Sequence, residues 1–255
     1  MKIAKTYSDD VKMKTDIIYN EDCIKGLKKL PNDCIDLIVT DPPYMISKPG
    51  KNINIGERIR VNLDFGSWNH FSSVANYYQF TEQWFSECCR VLKPGGWIYI
   101  FFSHQKLGFF DLSLASKYRL KHKTTFAWLK TNPYPAFRTN WLSASEFVWI
   151  GCKHKGTIKN YLSHKEMYNY ILTPNKSSYG ETSHPTEKPK IVIERFIRSS
   201  SHERDIVLDP FIGSGTTAVV CKYLNRRYIG FESNSNYYKI ALERIQHNDK
   251  EEVVI

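Results

Sequence analysis

The sequence has no apolar run close to the ~20 residues that a membrane-spanning helix requires. Its first residues, M-K-I-A-K-T-Y-S-D-D-V-K-M-K, also lack the apolar core of a secretory signal. We therefore expect a cytoplasmic protein with no membrane partner. Residues 1–14 and 249–252 are polar and charged, and are predicted to be loose termini.

The six cysteines form no C-x-x-C pair, and none stands at zinc-ligand spacing from a histidine. We therefore expect no metal site. A disulfide framework is not typical of a cytosolic chain of this length. The cysteines are predicted to be small buried side chains.

Acidic residues are scarce between residues 116 and 165, where Glu146 is the only one among many lysines and arginines. Aromatic residues are interleaved with these basic residues. The whole chain has a formal net charge of +10, which fits either a polyanionic partner or a generally basic proteome. The clustering favours a face that neutralises nucleic-acid phosphates, although a solvated surface would have a similar composition.

Short apolar runs alternate with segments of helical spacing, which predicts an α/β fold with a mostly parallel sheet. Predicted strands are residues 17–19, 35–40, 97–102, 124–129, 147–152, 206–208 and 228–231. Predicted helices are residues 24–30, 80–92, 105–117, 191–199, 217–225 and 237–247. Residues 45–71 and 153–183 do not fit the alternation and are predicted to be long loops, which in compact domains are usually functional.

A glycine-rich turn follows the predicted strand at residues 206–208, in the segment D-P-F-I-G-S-G-T-T at residues 209–217. Glycines allow a ligand to approach the backbone, and the N-terminus of the following helix offers free N–H groups. Glu232 ends the next strand, where a carboxylate can accept hydrogen bonds from two ribose hydroxyls. A nucleoside ligand is the favoured interpretation, and a tight structural turn or a dinucleotide site is the alternative. The dinucleotide pattern G-x-G-x-x-G calls for a third glycine at position 218, where this sequence has Ala218, and this weakens the dinucleotide alternative.

A second motif, T-D-P-P-Y at residues 40–44, follows the predicted strand at residues 35–40. Ligands bind at the carboxyl ends of parallel strands. The two prolines keep the Pro42 carbonyl out of a helix or ladder, so that it stands beside Asp41 as a second acceptor. Two acceptors suit the two N–H bonds of an aromatic amine, which becomes positively charged during attack. Tyr44 could stack on a base that has left the duplex. A rigid turn with an N-capping Asp41 is the structural alternative.

Together these motifs resemble those of the DNA amino-methyltransferases. The T-D-P-P-Y motif precedes the glycine-rich motif, as in the permuted β-group of adenine-N6 and cytosine-N4 methyltransferases. N-E-D-C at residues 20–23, R-V-L-K-P-G-G at residues 90–96 and S-H-P-T-E-K-P at residues 183–189 extend the resemblance, which spans residues 16–243. It implies a Rossmann-like S-adenosylmethionine-dependent methyltransferase fold, with a mostly parallel sheet, helices on both faces and a circularly permuted motif order.

The resemblance implies a role for each matching residue. The catalytic group is Asp41, Pro42, Pro43 and Tyr44, which hold and stack the target base. The group that binds S-adenosyl-L-methionine is Asp22, Asp41, Lys188, Asp209, Phe211, Gly213, Ser214, Gly215, Thr216 and Glu232. Further candidates for contacts to the flipped nucleotide, with loop packing as the equal alternative, are Asn132, Pro133, Tyr134, Pro135, Arg138 and Trp141.

The implied activity is site-specific methylation of adenine N6 in double-stranded DNA, with a short recognition site. Cytosine-N4 methylation is the first alternative. Adenine is preferred to it because cytosine-N4 enzymes of the family more often carry Ser where Asp41 stands. The other alternative functions are methylation of an RNA amine, DNA binding by a methyltransferase fold without activity, and a nicotinamide-dependent oxidoreductase. The resemblance leaves open whether the protein forms a homodimer and whether a cognate restriction endonuclease accompanies it.

The domain organisation is predicted as one catalytic and cofactor-binding domain made of residues 15–152 and 184–248. Residues 153–183 are predicted to be an inserted target-recognition segment. Residues 45–71 are predicted to be a loop near the catalytic turn.

Overall fold

The computed structural model describes residues 13–44, 52–55, 59–62, 71–133, 141–175 and 187–247. The strands are β1 (Ile17–Tyr19), β2 (Ile35–Thr40), β3 (Asn52–Ile55), β4 (Ile59–Asn62), β5 (Leu92–Phe102), β6 (Leu120–Lys130), β7 (Ser145–Lys153), β8 (Tyr170–Thr173), β9 (Ile206–Asp209) and β10 (Arg227–Phe231). The helices are α1 (Cys23–Leu27), α2 (Val74–Val91), α3 (Leu107–Phe109), α4 (Lys190–Ser200), α5 (Thr216–Tyr223) and α6 (Ser235–His247). A 3₁₀ turn (His104–Lys106) and a π-helical segment (Phe110–Ala115) flank α3.

The described residues contain an eight-stranded sheet in the order β1-β10-β9-β2-β5-β7-β6-β8. Every pairing in this sheet is parallel except those of β7, which runs antiparallel to both of its neighbours. The predicted mostly parallel sheet is therefore confirmed. We call the side where β2, β5, β9 and β10 end the carboxyl edge, and the side where they begin the amino edge.

Helices cover both faces of this sheet, as predicted. On β2, Leu37 and Val39 belong to one core cluster, which includes Ile193 of α4, Ala218 of α5 and Ala241 of α6. Ile38 belongs to the other cluster, which contains side chains from α1, α2 and the π-helical segment. Because successive strand residues point to opposite faces, an unbroken apolar run is what a strand covered on both faces needs.

Several boundaries differ from the sequence predictions. Helix α2 begins six residues before the predicted helix at residues 80–92, because the Ser73 hydroxyl accepts a hydrogen bond from the Asn76 N–H (3.1 Å) and caps it. The predicted helix at residues 105–117 is instead divided among three short helical pieces.

Strands lie in both segments that the sequence predicts to be loops. In residues 45–71, β3 and β4 pair as an antiparallel hairpin, which matches the alternation of N-I-N-I and I-R-V-N. In residues 153–183, β8 pairs with β6, although a four-residue strand gives little periodic signal in sequence. The termini at residues 1–12 and 248–255 lie outside the described residues.

The cysteines are all free thiols, as expected. They are also buried as predicted, apart from Cys34, which is only partly buried. Within the described residues, no helix is long and apolar enough to cross a membrane.

Candidate active site

The two sequence motifs converge on one cavity of about 350 Å³ at the carboxyl edge of the sheet. The Thr40 hydroxyl donates a hydrogen bond to Asp209 Oδ1 (2.9 Å), which joins the motifs directly across 169 positions of sequence. Every predicted catalytic and cofactor-binding residue lines this cavity except Gly215. The fold therefore brings together nearly the whole set of residues that the motifs single out.

Asp41 follows β2 directly, and its carboxylate accepts hydrogen bonds from two sides. The Tyr44 hydroxyl donates to Oδ1, and the Lys188 ammonium donates to Oδ2 (2.5 Å). Burial raises the pKa of the Asp41 carboxyl, the nearby Glu146 carboxylate adds to this, and the positive charge of Lys188 opposes it. Burial and the charge of Asp41 likewise raise the pKa of Tyr44 well above its ordinary value, so its hydroxyl stays a neutral donor.

Lys106, in the turn after β5, also fixes the T-D-P-P-Y segment. Its ammonium donates to the Tyr44 carbonyl and lies 4.1 Å from the centroid of the Tyr77 ring. Burial lowers the pKa of Lys106 from its ordinary value. No sequence motif includes this lysine, since its role depends on β5 lying beside β2.

Lys188 is nearly buried and lies between two carboxylates. Its ammonium nitrogen is 2.5 Å from Asp41 Oδ2 and 3.4 Å from Glu146 Oε2. Burial alone would lower the pKa of Lys188, but the charges of Asp41 and Glu146 outweigh it and raise the pKa to about 12. The side chain is therefore a charged donor at neutral pH.

Asp209 braces the glycine-rich turn from within. Its carboxylate accepts hydrogen bonds from the hydroxyls of Thr40 (2.9 Å) and Thr217 (2.7 Å) and from the Phe211 N–H (3.1 Å). Burial raises the pKa of Asp209 to about 7, with these hydrogen bonds opposing the shift. Because both carboxylate oxygens of Asp209 accept hydrogen bonds from protein groups, we interpret Asp209 as a residue that shapes the cavity.

The two glycines of the turn have different surroundings. The Gly213 N–H donates to Glu232 Oε2 (3.1 Å), and Gly213 lines the cavity. Gly215 has a φ of 81° at the start of α5, and a Cβ there would lie 3.0 Å from the Cβ of Ala241. Gly215 therefore permits a left-handed turn and close packing of α6, and it does not face the cavity.

Glu232 and Asp22 lie at the ends of neighbouring elements on the same side of the cavity. Glu232 Oε1 accepts from the Asn234 N–H (2.7 Å) and Oε2 from Gly213, which fixes the carboxylate after β10. Burial raises the pKa of Glu232, and those N–H donors oppose the shift. Asp22 Oδ1 accepts from the Lys25 N–H (3.0 Å) and so caps α1.

A buried ion pair holds the glycine-rich turn to the segment that carries Lys188. Arg244 of α6 donates to Glu187 Oε1 (2.7 Å), to Thr216 Oγ1 (2.8 Å) and to the carbonyl and hydroxyl oxygens of Ser214 (both 3.3 Å). Sequence reasoning missed this arginine. The helical spacing could have identified it, since Arg244 stands three residues after Ala241 and one before Ile245 and therefore lies on the buried face of the predicted helix.

The further candidates for nucleotide contacts are only partly within the described residues. Asn132 Nδ2 donates to the Asn175 carbonyl (3.1 Å), which ties together the ends of two segments at the carboxyl edge. The Trp141 side chain is 92% exposed. Tyr134, Pro135 and Arg138 lie outside the described residues, as do residues 183–186 of the S-H-P-T-E-K-P motif.

Most of the basic stretch does not surround the cavity. Strand β7 begins at the carboxyl edge, where Phe147 pairs with the last residue of β5, and Cys152, near its end, pairs with Lys121. Lys121, Lys123 and Lys155 therefore lie toward the amino edge, although they are exposed as predicted. Lys153 is largely enclosed by Asp33 Oδ1 (2.8 Å) and two backbone carbonyls. The sequence could not show that the β6–β7 hairpin carries these charges away from the site.

Comparison with known proteins agrees with this arrangement. The sequence model of the N6/N4 methyltransferase family, described as DNA methylase, matches residues 35–243. The chain is 34% identical over 242 residues to the type II methyltransferase M2.LlaDCHI of Lactococcus lactis subsp. cremoris, covering 90% of this chain and 88% of that one. It is 32% identical over 257 residues to the type II methyltransferase M2.DpnII of Streptococcus pneumoniae, covering 96% and 93%. Among solved structures, the M1.HpyAVI–SAM complex superposes with a TM-score of 0.69 and 26% identity, covering 89% of this chain and 98% of that one.

Proposed function

The chain belongs to the N6/N4 family of DNA methylases, and we propose that it transfers a methyl group from S-adenosyl-L-methionine to the N6 amino group of adenine within a short DNA site. The observation that carries this proposal is the convergence of residues 40–44 and 209–217 on one cavity. Cytosine N4 is the second candidate base, and the Asp41 at the first position of D-P-P-Y favours adenine.

The residues of the cavity fit S-adenosyl-L-methionine. Among the described residues, the lining contains one lysine or arginine, Lys188, and the acids Glu21, Asp22, Asp41, Glu146, Glu187, Asp209 and Glu232. In a protein of net charge +10 this acidic lining favours a cationic ligand such as a sulfonium. When bound, this cofactor supplies an electrophilic methyl group whose bond to sulfur breaks with its electron pair moving to the sulfur.

The residues expected to hold the cofactor line the cavity, apart from Gly215. Glu232 and Asp22 supply carboxylate oxygens for the ribose hydroxyls and the adenine side of the ligand. The Phe211 ring offers an apolar wall, braced by Trp84 (ring centroids 5.5 Å apart) and Phe80 (6.0 Å). Thr216 and Gly213 also line the cavity.

The D-P-P-Y residues act on the target amine. Asp41 and the Pro42 carbonyl accept its two N–H bonds, which directs the nitrogen lone pair out of conjugation and opposes the positive charge that develops on nitrogen. The nitrogen forms its new bond to the methyl carbon and then releases one proton, for which the Asp41 carboxylate is the nearest base. Tyr44 stacks on the flipped base.

The proposal also gives a role to two further segments of the chain. Residues 153–183 are proposed to read the DNA target, as an insertion into one domain made of residues 15–152 and 184–248. Within the described residues this segment is anchored to α4, since Asn160 Nδ2 donates to the carbonyls of Arg198 (2.7 Å) and Ser201 (2.9 Å). Residues 45–71 are proposed to lie near the catalytic turn.

The direct test incubates purified protein with methyl-labelled S-adenosylmethionine and unmethylated genomic DNA, followed by nucleoside analysis. Labelled 6-methyladenine is the expected product, and sequencing the same DNA gives the recognition site. Labelled 4-methylcytosine would keep the mechanism and change the base. Cofactor binding without any label in DNA would overturn the proposal and direct the search to RNA or to a binding-only role.

The Asp41→Ala variant tests the assigned role of that carboxylate. We expect the rate of transfer to fall by at least about 100-fold, because an acceptor aimed at the developing charge is lost. Affinity for S-adenosylmethionine, measured by calorimetry on the same preparation, should change little and serves as the internal control for folding. An Asp41→Ala protein with wild-type activity would remove Asp41 from the mechanism.

A further inference from the structure

Glu146 is a cavity residue that the motifs do not account for. It is the second residue of β7 and lies at the carboxyl edge, because β7 runs antiparallel to its neighbours. Its Oε1 accepts a hydrogen bond from the Lys130 ammonium (2.6 Å), and the Lys130 side chain is only 10% exposed. The carboxylate is therefore held in place from strand β6.

The other oxygen of Glu146 is buried and has no hydrogen-bond donor in bonding geometry among the described residues. The nearest cation is Lys188, whose ammonium is 3.4 Å away but donates its short hydrogen bond to Asp41. A buried carboxylate oxygen without a well-placed donor is costly. Lys188 therefore lies between two carboxylates, and its shorter contact is with Asp41.

We propose that Glu146 is a positioning residue that receives the Lys188 ammonium when the target amine binds to Asp41, an inference that rests on the proposed function. In this structure the Asp41 carboxylate is occupied by Lys188 and Tyr44. An incoming N–H of the amine competes with these donors for the carboxylate. An approach of about 0.6 Å brings Lys188 from 3.4 Å to the ordinary length of a charge-assisted hydrogen bond with Glu146.

Two features distinguish this role from simple structural pairing. Lys130 already satisfies Oε1, so a pair that only stabilised the sheet would not require Oε2 to lie within 3.4 Å of the Lys188 ammonium. The Lys188 ammonium also lies between the two carboxylates and 5.1 Å from the centroid of the Phe101 ring, so a small shift from Asp41 toward Glu146 keeps it among groups that attract a cation. The ion network keeps its net charge while the acceptor on Asp41 becomes free.

The test is a double-mutant cycle with Glu146→Gln and Lys188→Met, measured as methyl transfer to DNA. Glutamine keeps the shape and the bond from Lys130 but cannot hold the ammonium as well, so kcat/KM for DNA should fall by about 10- to 100-fold. If Glu146 acts through Lys188, then Glu146→Gln should cause no further loss, within about twofold, in the Lys188→Met background. In the Glu146→Gln variant, affinity for S-adenosylmethionine should stay unchanged.

A second readout is the pH profile of the rate. Glu146→Gln removes a negative charge near Asp41, so the acid limb of the profile should move to lower pH. The acid limb shows whether the Glu146 charge acts on Asp41, and the double-mutant cycle shows whether it acts through Lys188. Glu194→Gln is the matched control, because this α4 carboxylate is similarly enclosed, pairs with Arg198 (3.5 Å) and does not line the cavity.

Equal losses from Glu146→Gln in both backgrounds, or wild-type activity with an unmoved acid limb, would overturn the inference. A wild-type protein that methylates no DNA would overturn the proposed function instead, so the two failures are distinct. If Glu146→Gln does not fold, Glu146→Asp is taken through the same cycle, since it keeps the charge and withdraws it by one methylene. The expected rate of Glu146→Asp lies between the rate of the wild type and the rate expected for Glu146→Gln.

Discussion

At the scale of single residues, Asp209 shows how the cavity is built at a cost to the folded state. A carboxylate with three protein donors would ordinarily have a low pKa, but full burial raises the pKa of Asp209 to about 7. Its hydrogen bonds to Thr40 and Thr217 keep the T-D-P-P-Y segment and the glycine-rich turn in register. The residue therefore serves the geometry of the site more than its own stability as an anion.

This pKa gives a prediction for stability against pH. Below about pH 4 the carboxyl is protonated in both states. As pH rises to about 7 the unfolded chain ionises while the folded protein keeps its proton, so the free energy of unfolding falls over this window. Urea denaturation between pH 4.5 and 7.5 should show this fall, and Asp209→Asn should make it smaller. A variant that declines as steeply as wild type would contradict the raised pKa.

At the scale of elements, α6 holds two loops together through one buried side chain. Arg244 contacts the glycine-rich turn and the Glu187 carboxylate that precedes Lys188, and both partners of the ion pair are nearly inaccessible to water. A buried pair of this kind is strongly destabilising when only one member is removed. The N-terminus of α5 and the Lys188 segment therefore depend on α6, which itself contributes only Tyr237 to the cavity.

We predict that Arg244→Met lowers the free energy of unfolding by about 3–5 kcal/mol, because Glu187 stays buried without this partner. Adding Glu187→Gln should restore part of the loss. Arg198→Met is the matched control, since Arg198 pairs with Glu166 (2.9 Å) on an exposed part of α4 and should cost about 0–1 kcal/mol. Equal losses from the two arginine variants in chemical denaturation would contradict the assigned role of Arg244.

The elements that sequence predicted well are those whose local pattern is strong. The strand at residues 35–40 was predicted at its observed bounds because it is an apolar run covered on both faces. β8 and the β3–β4 hairpin were missed because strands of four residues gain their definition from pairing. The D-P-P-Y and glycine-rich residues were predictable from local chemistry, whereas Glu146, Lys106 and Arg244 gain their roles only from partners distant in sequence.

At the scale of the whole molecule, charge is divided between an acidic cavity and a basic surface that is largely elsewhere. Lys121, Lys123 and Lys155 are exposed toward the amino edge, and strand β6 is 11 residues long, so roughly 30 Å of strand separates its two ends. DNA that delivers a base to Asp41 approaches the carboxyl edge. These three lysines are therefore too far away to neutralise the phosphates beside the target base.

This division predicts which charges govern DNA binding. Affinity should fall steeply with salt, since phosphate contacts release counterions. The triple variant Lys121→Gln/Lys123→Gln/Lys155→Gln should keep the wild-type slope of log Kd against log salt, measured by fluorescence anisotropy on a duplex that carries the recognition site. Arg138→Gln, in the segment proposed to contact the nucleotide, should reduce the slope by about 1. A triple variant with a slope reduced by about 3 would instead place DNA along the β6–β7 hairpin, and a flat salt dependence in the wild type would remove phosphate neutralisation from the account altogether.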